Sequence, residues 1–257
     1  MQNEDGINIA LSGWAGAGTS TVSLLLALIL NRKYLPLGSV MRYLSAQLEE
    51  KYDKVLSAEL EQDFQPTVGK TTDIYIDYKL LNDSNLVVES DLSAFRIGKH
   101  PKVFSIFIKA DDNIRKKRIK SDSRKNEAPM AERDEVLRQE YMKLWDIDIF
   151  DEELIERKYN LIINNSTLTV DEEIAAILSR LKDHPRIKST VRWSAIENRA
   201  EKYLKLYNKK GKQALKDAVT KNKLSIPVQD ILTEMVKTFP EDVQTYPDEV
   251  QKIFLRL

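Results

Sequence analysis

The 257-residue chain has no cysteine and only two histidines, His100 and His184. Disulfides, thiolate metal sites and a cysteine nucleophile are thereby excluded, as is a zinc site built from histidines. It also lacks any long apolar run. The longest, Val22 to Leu30, is far short of the ~20 residues that cross a bilayer. Met1 to Gly6 is polar and acidic, unlike the basic start of a signal peptide, so the expected location is cytoplasmic. Net charge is lacking too: 40 Lys and Arg balance 40 Asp and Glu, and the whole-chain charge favours no particular partner. Repeats and low-complexity tracts are not found. What remains, 42% hydrophobic and 31% charged residues, is the composition of a folded globular chain. Its length suits one large domain or a domain with an appendage, and the second is expected.

The stretch that organises the chain is Ile7 to Thr21, INIALSGWAGAGTST. A short apolar strand breaks into a glycine-rich loop and then opens an apolar helix. Gly13, Gly16, Gly18 and Ser20 meet the phosphate-loop pattern G-x-x-x-x-G-K-[ST], but Thr19 stands where the lysine belongs. Glycine is needed because successive N–H groups must turn inward around a phosphate, at close approach. The helix that follows aims its positive end at the same anion. The plain alternative is a glycine-rich turn between two core elements, and the order strand, loop, hydroxyl pair, helix argues against it.

Further on, Tyr34 to Leu37 reads as a second strand, followed by a helix that carries Arg42 one turn in, where it can hold a second phosphate or lie solvated. Residues 45–79 read as a helical insertion broken at Gln65-Pro66. Leu86-Val87-Val88 is a third strand ending in Glu89-Ser90-Asp91, acids that can orient the water shell of a magnesium ion at the carboxyl end of a parallel strand. Val103 to Ile108 and Leu161 to Asn164 complete five strands without polar alternation, which implies a parallel sheet covered on both faces. Between the last two lies a segment dense in arginine, with Arg115, Arg118, Arg124, Arg133 and Arg138. With Ser121 to Pro129 as a polar interruption, it suits a lid closing over phosphates. Asp146, Asp148, Asp151, Glu152 and Glu153 match no cation loop and read as a solvated helix start. Thr169-Val170-Asp171-Glu172 is a capping box opening a helix that ends near Leu181.

The helix breaker Asp183-His184-Pro185 places a boundary there, giving a nucleotide-binding domain over 1–182 and a helical extension over 183–257. The extension is polarised: 183–226 carries twelve bases against four acids, and 227–257 six acids against three bases. Helices are expected over Trp193–Asn208, Lys212–Lys221, Pro227–Phe239 and Pro247–Leu257. The stripe Trp193, Ile196, Leu204 and Tyr207 must be buried, either on the first domain or on a second subunit, so the extension is also a candidate homo-oligomer contact.

These motifs together resemble the P-loop nucleoside monophosphate kinases, and most closely the archaeal-type cytidylate kinases, over roughly residues 5 to 182. Tyr34 to Arg42 is similar to the family's segment that meets the monophosphate. Thr72-Asp73 through Asp77-Tyr78-Lys79 resembles its helix with two aspartates and a base, and Arg133 to Asp148 its arginine-bearing helix. Ile162 to Ser166 is similar to the turn near the adenine end of its ATP site, which brings in Asn164. The resemblance implies a three-layer α/β fold with a short parallel sheet, a helical monophosphate-binding insertion and a lid, with ATP as donor, Mg2+ as cofactor and CMP or dCMP as acceptor. Three departures stand out: Thr19 for the loop lysine, Ser39 for an aspartate before Arg42, and Glu89-Ser90-Asp91 for Glu-Gly-Arg. Arg96 is the candidate to replace the lost acceptor charge.

Phosphoryl transfer asks for positioning and charge compensation rather than a nucleophilic side chain. The expected roles follow. Amides of Ala15, Gly16, Ala17, Gly18 and Thr19, with Ser20 and Thr21, cradle the donor phosphates; Ser20 ligates Mg2+, and Glu89 or Asp91 orients its waters. Arg42 holds the acceptor, with Asp73, Asp77, Asp91 and Arg96 around it, and Arg115, Arg118, Arg133 and Arg138 close the lid. Two other classes stay open: a nucleotide-binding regulator that transfers no phosphate, and an RNA-binding basic tail on an ATP-driven switch, although the aromatic stripe favours packing over nucleic-acid binding.

Overall fold

The computed structural model describes residues 6–51, 54–121, 129–185, 187 and 192–255, with side chains described except at 54–65, 249 and 255. Arg124 and Lys125 of the expected lid, and most of its polar interruption, lie outside the described residues. Five strands, β1 (Asn8–Gly13), β2 (Lys33–Pro36), β3 (Leu86–Glu89), β4 (Val103–Lys109) and β5 (Leu161–Asn164), form one sheet in the order β2-β3-β1-β4-β5. Every pairing is parallel. β1 is central, with Ile9 opposite Val87 on one side and Phe104 on the other. It is buried along its whole length, as its unbroken apolar run requires.

The first helix, α1 (Thr19–Leu30), explains much of the architecture. From Val22 onward every residue is buried, so the helix has no solvent face. The sheet can cover only one side of it. The other side is covered by α8 (Trp193–Lys221), whose Ile196, Ala200, Tyr203, Leu215 and Val219 join α1 and β1 in a single apolar cluster. At about 2 kcal/mol for each buried Leu or Ile, the outward half of α1 alone is a large share of a domain's net stability. Arg199 reinforces the contact, its Nε donating to the carbonyl of Ile29 at 2.5 Å. Trp193, Leu204 and Tyr207 of the expected stripe pack on this cluster, so the stripe finds its partner within the chain.

The extension also closes the sheet edge. Tyr34 of β2 donates its N–H to Leu224 at 2.7 Å and accepts from Ile226 at 3.0 Å, a parallel bridge that occupies an otherwise open strand. Beyond it, α9 (Val228–Thr238), α10 (Pro240–Gln244) and α11 (Asp248–Leu255) pack on α2 (Gly38–Lys51) and α3 (Lys54–Asn82) in a second apolar cluster. Glu234 accepts from the Tyr75 hydroxyl at 2.7 Å and from Lys79 at 2.9 and 3.1 Å, tying α9 to α3. Burial works to raise the Glu234 carboxyl, but these bonds outweigh it and leave the pKa below its usual value.

One expectation is corrected. The break at Gln65-Pro66 does not occur, and α3 runs through Pro66. An interior proline costs a helix about 3 kcal/mol, but the turns after it are fixed by the burial of Val68, Tyr75, Ile76 and Leu80. The Thr72 hydroxyl also bonds to the carbonyl of Val68 at 2.6 Å.

Candidate active site

The remaining elements around the carboxyl end of the sheet are α4 (Asp112–Ser121), α5 (Met130–Trp145), α6 (Glu152–Lys158) and α7 (Val170–Lys182). With the β1–α1 loop they frame a cleft of about 1330 Å³. The loop is held from three sides. Gly13 lies where a Cβ would come within 2.3 Å of the Ile108 carbonyl, so only glycine allows β1 and β4 to stay paired there. Gly16, at φ +82°, abuts the Arg115 carbonyl, and a Cβ would sit 2.8 Å from it. Trp14 donates to the Ile149 carbonyl at 3.1 Å and stacks on Phe150, anchoring the loop to the far wall. Gly18, at φ +100°, is exposed at the mouth of the helix. Of the amides expected to cradle phosphate, Ala17 N–H is used within the loop, donating to Trp14 O at 2.9 Å. The Thr21 N–H is likewise used, donating to Gly18 O at 2.9 Å, and the amides that open a helix have no carbonyl upstream within it.

At the foot of the loop, Ser20 donates to one oxygen of Glu89 while the Tyr34 hydroxyl donates to the other. A hydroxyl and a carboxylate in contact beside an anion-binding helix end are oxygen donors of the kind Mg2+ takes, the metal keeping several waters. Burial and the neighbouring Glu89 charge push the Tyr34 phenol well above its usual pKa, so it stays a hydrogen-bond donor at neutral pH.

The arginines divide. Arg118 lines the cleft, its guanidinium donating to Ala17 O at 3.1 Å and to Asn165 Oδ1 at 2.9 Å. Arg133 lines it as well. Arg115 does not: only 2% exposed, it donates to Ala15 O at 2.9 Å and grips both oxygens of Asp134 at 2.7 and 2.8 Å. Its guanidinium is a strut beneath the loop, lying 5.5 Å from the Trp14 ring. Arg138 points away from the cleft, to Asp148 at 3.1 Å and over the Phe150 ring at 5.0 Å.

The acceptor candidates divide in the same way. Arg42, Asp73 and Asp91 line the cleft. Arg42 donates to Ser39 Oγ at 3.3 Å. Asp77 and Arg96 lie outside the lining and pair with each other, Nε to Oδ2 at 2.9 Å, with the Arg96 guanidinium 3.8 Å over the Trp145 ring. Trp145 in turn donates to Asp73 at 2.9 Å. Burial raises Asp73 to about 7, against the opposing pull of Trp145 and Arg96. Asp91 keeps accessible surface toward the open cleft, yet protein encloses it at longer range. That enclosure, with the charges of Glu89 and Glu140, lifts it to about 6, opposed by Arg133 and Arg42.

At the β5 end, Asn164 is exposed and turned to Asp111 and Ser166, not into the cleft. Its neighbour Asn165 takes the inward place, donating to Ala17 O at 2.8 Å and to Glu173 at 3.1 Å. Glu173, buried and pushed up to about 7 by that burial against the pull of Asn165 and Arg118, also lines the cleft. Neither was singled out from the sequence. Glu173 directly follows the Thr169–Glu172 capping box, which in the structure has both of its bonds, and beside such a box an acid reads as ordinary helix-start chemistry. Asp151 is an N-cap, bonded to Leu154 N at 3.0 Å, in line with the reading of its acidic run as a helix start. Among the described residues no group of three His, Asp or Glu side chains is placed to hold a metal ion by itself, and no helix is long and apolar enough to cross a membrane.

Comparison with known proteins adds to this geometry. No protein-family model matches the chain. The cytidylate kinase of Methanosphaera stadtmanae is 30% identical over 173 residues, covering 66% of this chain and 94% of that protein. The cytidylate kinase of Pyrobaculum islandicum is 27% identical over 170 residues, 65% of this chain and 88% of that protein. An S-adenosylmethionine-dependent nucleotide dehydratase of Lacinutrix mariniflava is 26% identical over 171 residues, which are 33% of its length. A crystal structure of an uncharacterized protein from Eubacterium ventriosum overlays loosely, with a TM-score of 0.46 at 17% identity, over 69% of this chain and 99% of that one. With the glycine loop, the five-stranded parallel sheet and a relative matched over nearly its full length, the chain belongs to the cytidylate kinase family.

Proposed function

We propose that this protein transfers the γ-phosphate of ATP to CMP, dCMP or a related nucleoside monophosphate, with residues 1–182 as the kinase unit and 183–257 as a helical extension. The observation that carries the reading is the meeting of the loop, the Ser20–Glu89 pair and Arg42 in one cleft large enough for two nucleotides. Ser20, with Glu89 beside it, would hold Mg2+, which would supply charge neutralisation for the donor phosphates. The chain's own part is positioning: the loop amides and the α1 N-terminus hold the donor, Arg42 holds the acceptor phosphate, and Arg118 and Arg133 line the same cleft. Arg115 supports the loop from below. The test is a panel of ribo- and deoxyribonucleoside monophosphates with ATP and Mg2+, following ADP release; turnover confined to cytidine nucleotides is expected, and no ADP with any monophosphate overturns the reading.

A second reading has one specific support. Where the family segment carries Glu-Gly-Arg this chain has Glu89-Ser90-Asp91, and Asp91, Glu140 and Asp73 make the acceptor end rich in carboxyls. A regulator that binds nucleotide and closes without transfer predicts ATP binding by calorimetry alongside an empty turnover panel.

A further inference from the structure

The nucleotide cleft has a wall that the family segment does not supply. Tyr207, Lys212, Gln213, Lys216 and Thr220 of α8 line it together with Gly18 to Thr21. Gly211 makes this possible. Its backbone, at φ 73° and ψ −170°, breaks the helical run, and a Cβ there would meet nothing within 4 Å, so glycine serves the conformation rather than close packing. The helix that restarts after it buries Leu215 and Val219 against α1. Lys212 and Lys216, one turn apart on the adjoining stripe, then face the cleft.

The charge they bring is the charge the loop lacks. Thr19 occupies the lysine position. Arg115 is bonded to Asp134 and Ala15 and nearly inaccessible, and Arg118 is turned to Ala17 and Asn165. We propose that Lys212 and Lys216 bind the phosphate chain of the donor nucleotide, so that the appended helix completes the donor site from outside the kinase unit. This rests on the kinase reading for the identity of the donor.

The test measures binding to the full chain by calorimetry at fixed ionic strength, with ATP and Mg2+, and with adenosine as a phosphate-free probe. One charge-assisted contact corresponds to about tenfold in affinity. K216Q should therefore weaken ATP about tenfold and K212Q/K216Q about a hundredfold, while adenosine binding and the nucleotide-free melting temperature stay unchanged. K216R should restore ATP affinity. K209Q, the same charge change at an exposed position outside the cleft lining, should have no effect. ATP affinity unchanged in the double variant overturns the proposal, as does an equal loss of adenosine binding, or a loss that tracks a lowered melting temperature and is not restored by K216R. Lysine-dependent ATP binding with no turnover on any monophosphate sinks the kinase reading alone.

Discussion

At the loop end of the cleft the ligand-facing groups are mostly backbone, and each is braced by a neighbour: Gly13 by β4, Gly16 by α4, Ala15 by Arg115, Ala17 by Arg118 and Asn165. At the acceptor end they are side chains, Arg42 and the carboxyls of Asp73, Asp91 and Glu140, whose pKa values are raised, chiefly by desolvation. The first arrangement is fixed before any ligand arrives, since backbone dipoles need no reorganisation. The second can change its charge with pH and with the ligand, because protonation and side-chain rotation are both open to it. A rigid donor end and a titratable acceptor end therefore make separable predictions.

The largest effect is expected from removing the cover of the rigid end. Truncation after Leu181 strips the outer face of α1, and the truncated chain should aggregate or melt without cooperativity in thermal unfolding. A well-folded, ATP-binding truncation would show that the donor end stands without the extension. Next, Gly16→Val places a side chain 2.8 Å or less from the Arg115 carbonyl at a positive φ. That strain is of order 2–4 kcal/mol. ATP binding should be lost while monophosphate binding, measured separately, persists; equal loss of both would join the two ends.

Ser20→Ala removes one preorganised donor, and kcat with Mg2+ should fall by about 10²–10³ with little change in stability. At the titratable end, the raised pKa of Asp73, about 7, has a sign that can be worked out. The unfolded carboxyl loses its proton near its ordinary pKa while the folded one keeps it, so stability falls as pH rises from about 4 to about 7. The melting temperature should therefore be higher at pH 5 than at pH 7, and Asp73→Asn should flatten that difference. An unaltered slope in the variant would assign it to other groups. Smallest of all, Glu234→Gln weakens the α9 to α3 tie. Because Glu234 is partly exposed, the expected cost is about 1 kcal/mol in denaturant unfolding.

How much of this was legible follows the same division. The strands, the loop and the Thr169 capping box announce themselves because each depends on neighbours in sequence: an apolar run, glycines at fixed offsets, a side chain three residues from its amide. The continuity of α3 through Pro66 was not legible, since packing by Val68 and Ile76 overrides a local rule. The resemblance at the adenine-end turn brings in Asn164, and Asn165 holds the inward place, a one-residue matter that alternation at a strand end decides only in three dimensions. Arg115 and Arg118 are equivalent in sequence, and only Asp134 across the cleft wall tells strut from lining residue. The contribution of Lys212 and Lys216 was hidden for the plainest reason, that an exposed-looking basic helix carries no mark of what it faces. One signal was available for the packing of the extension. A helix with no polar side from Val22 to Leu30 needs cover on both faces, and the sheet supplies one.

The bridge from Tyr34 to Ser225 bears on how the chain is made. A ribosome releases the glycine loop and β2 long before residue 225 exists, and long-range contacts of this kind close late. Through that interval the outer side of α1 and the free side of β2 are sticky surfaces on a nascent chain. The last quarter of the sequence therefore acts as a quality checkpoint for the first: a polypeptide stopped short of Ile226 presents an unfinished sheet edge for chaperones and proteases to recognise.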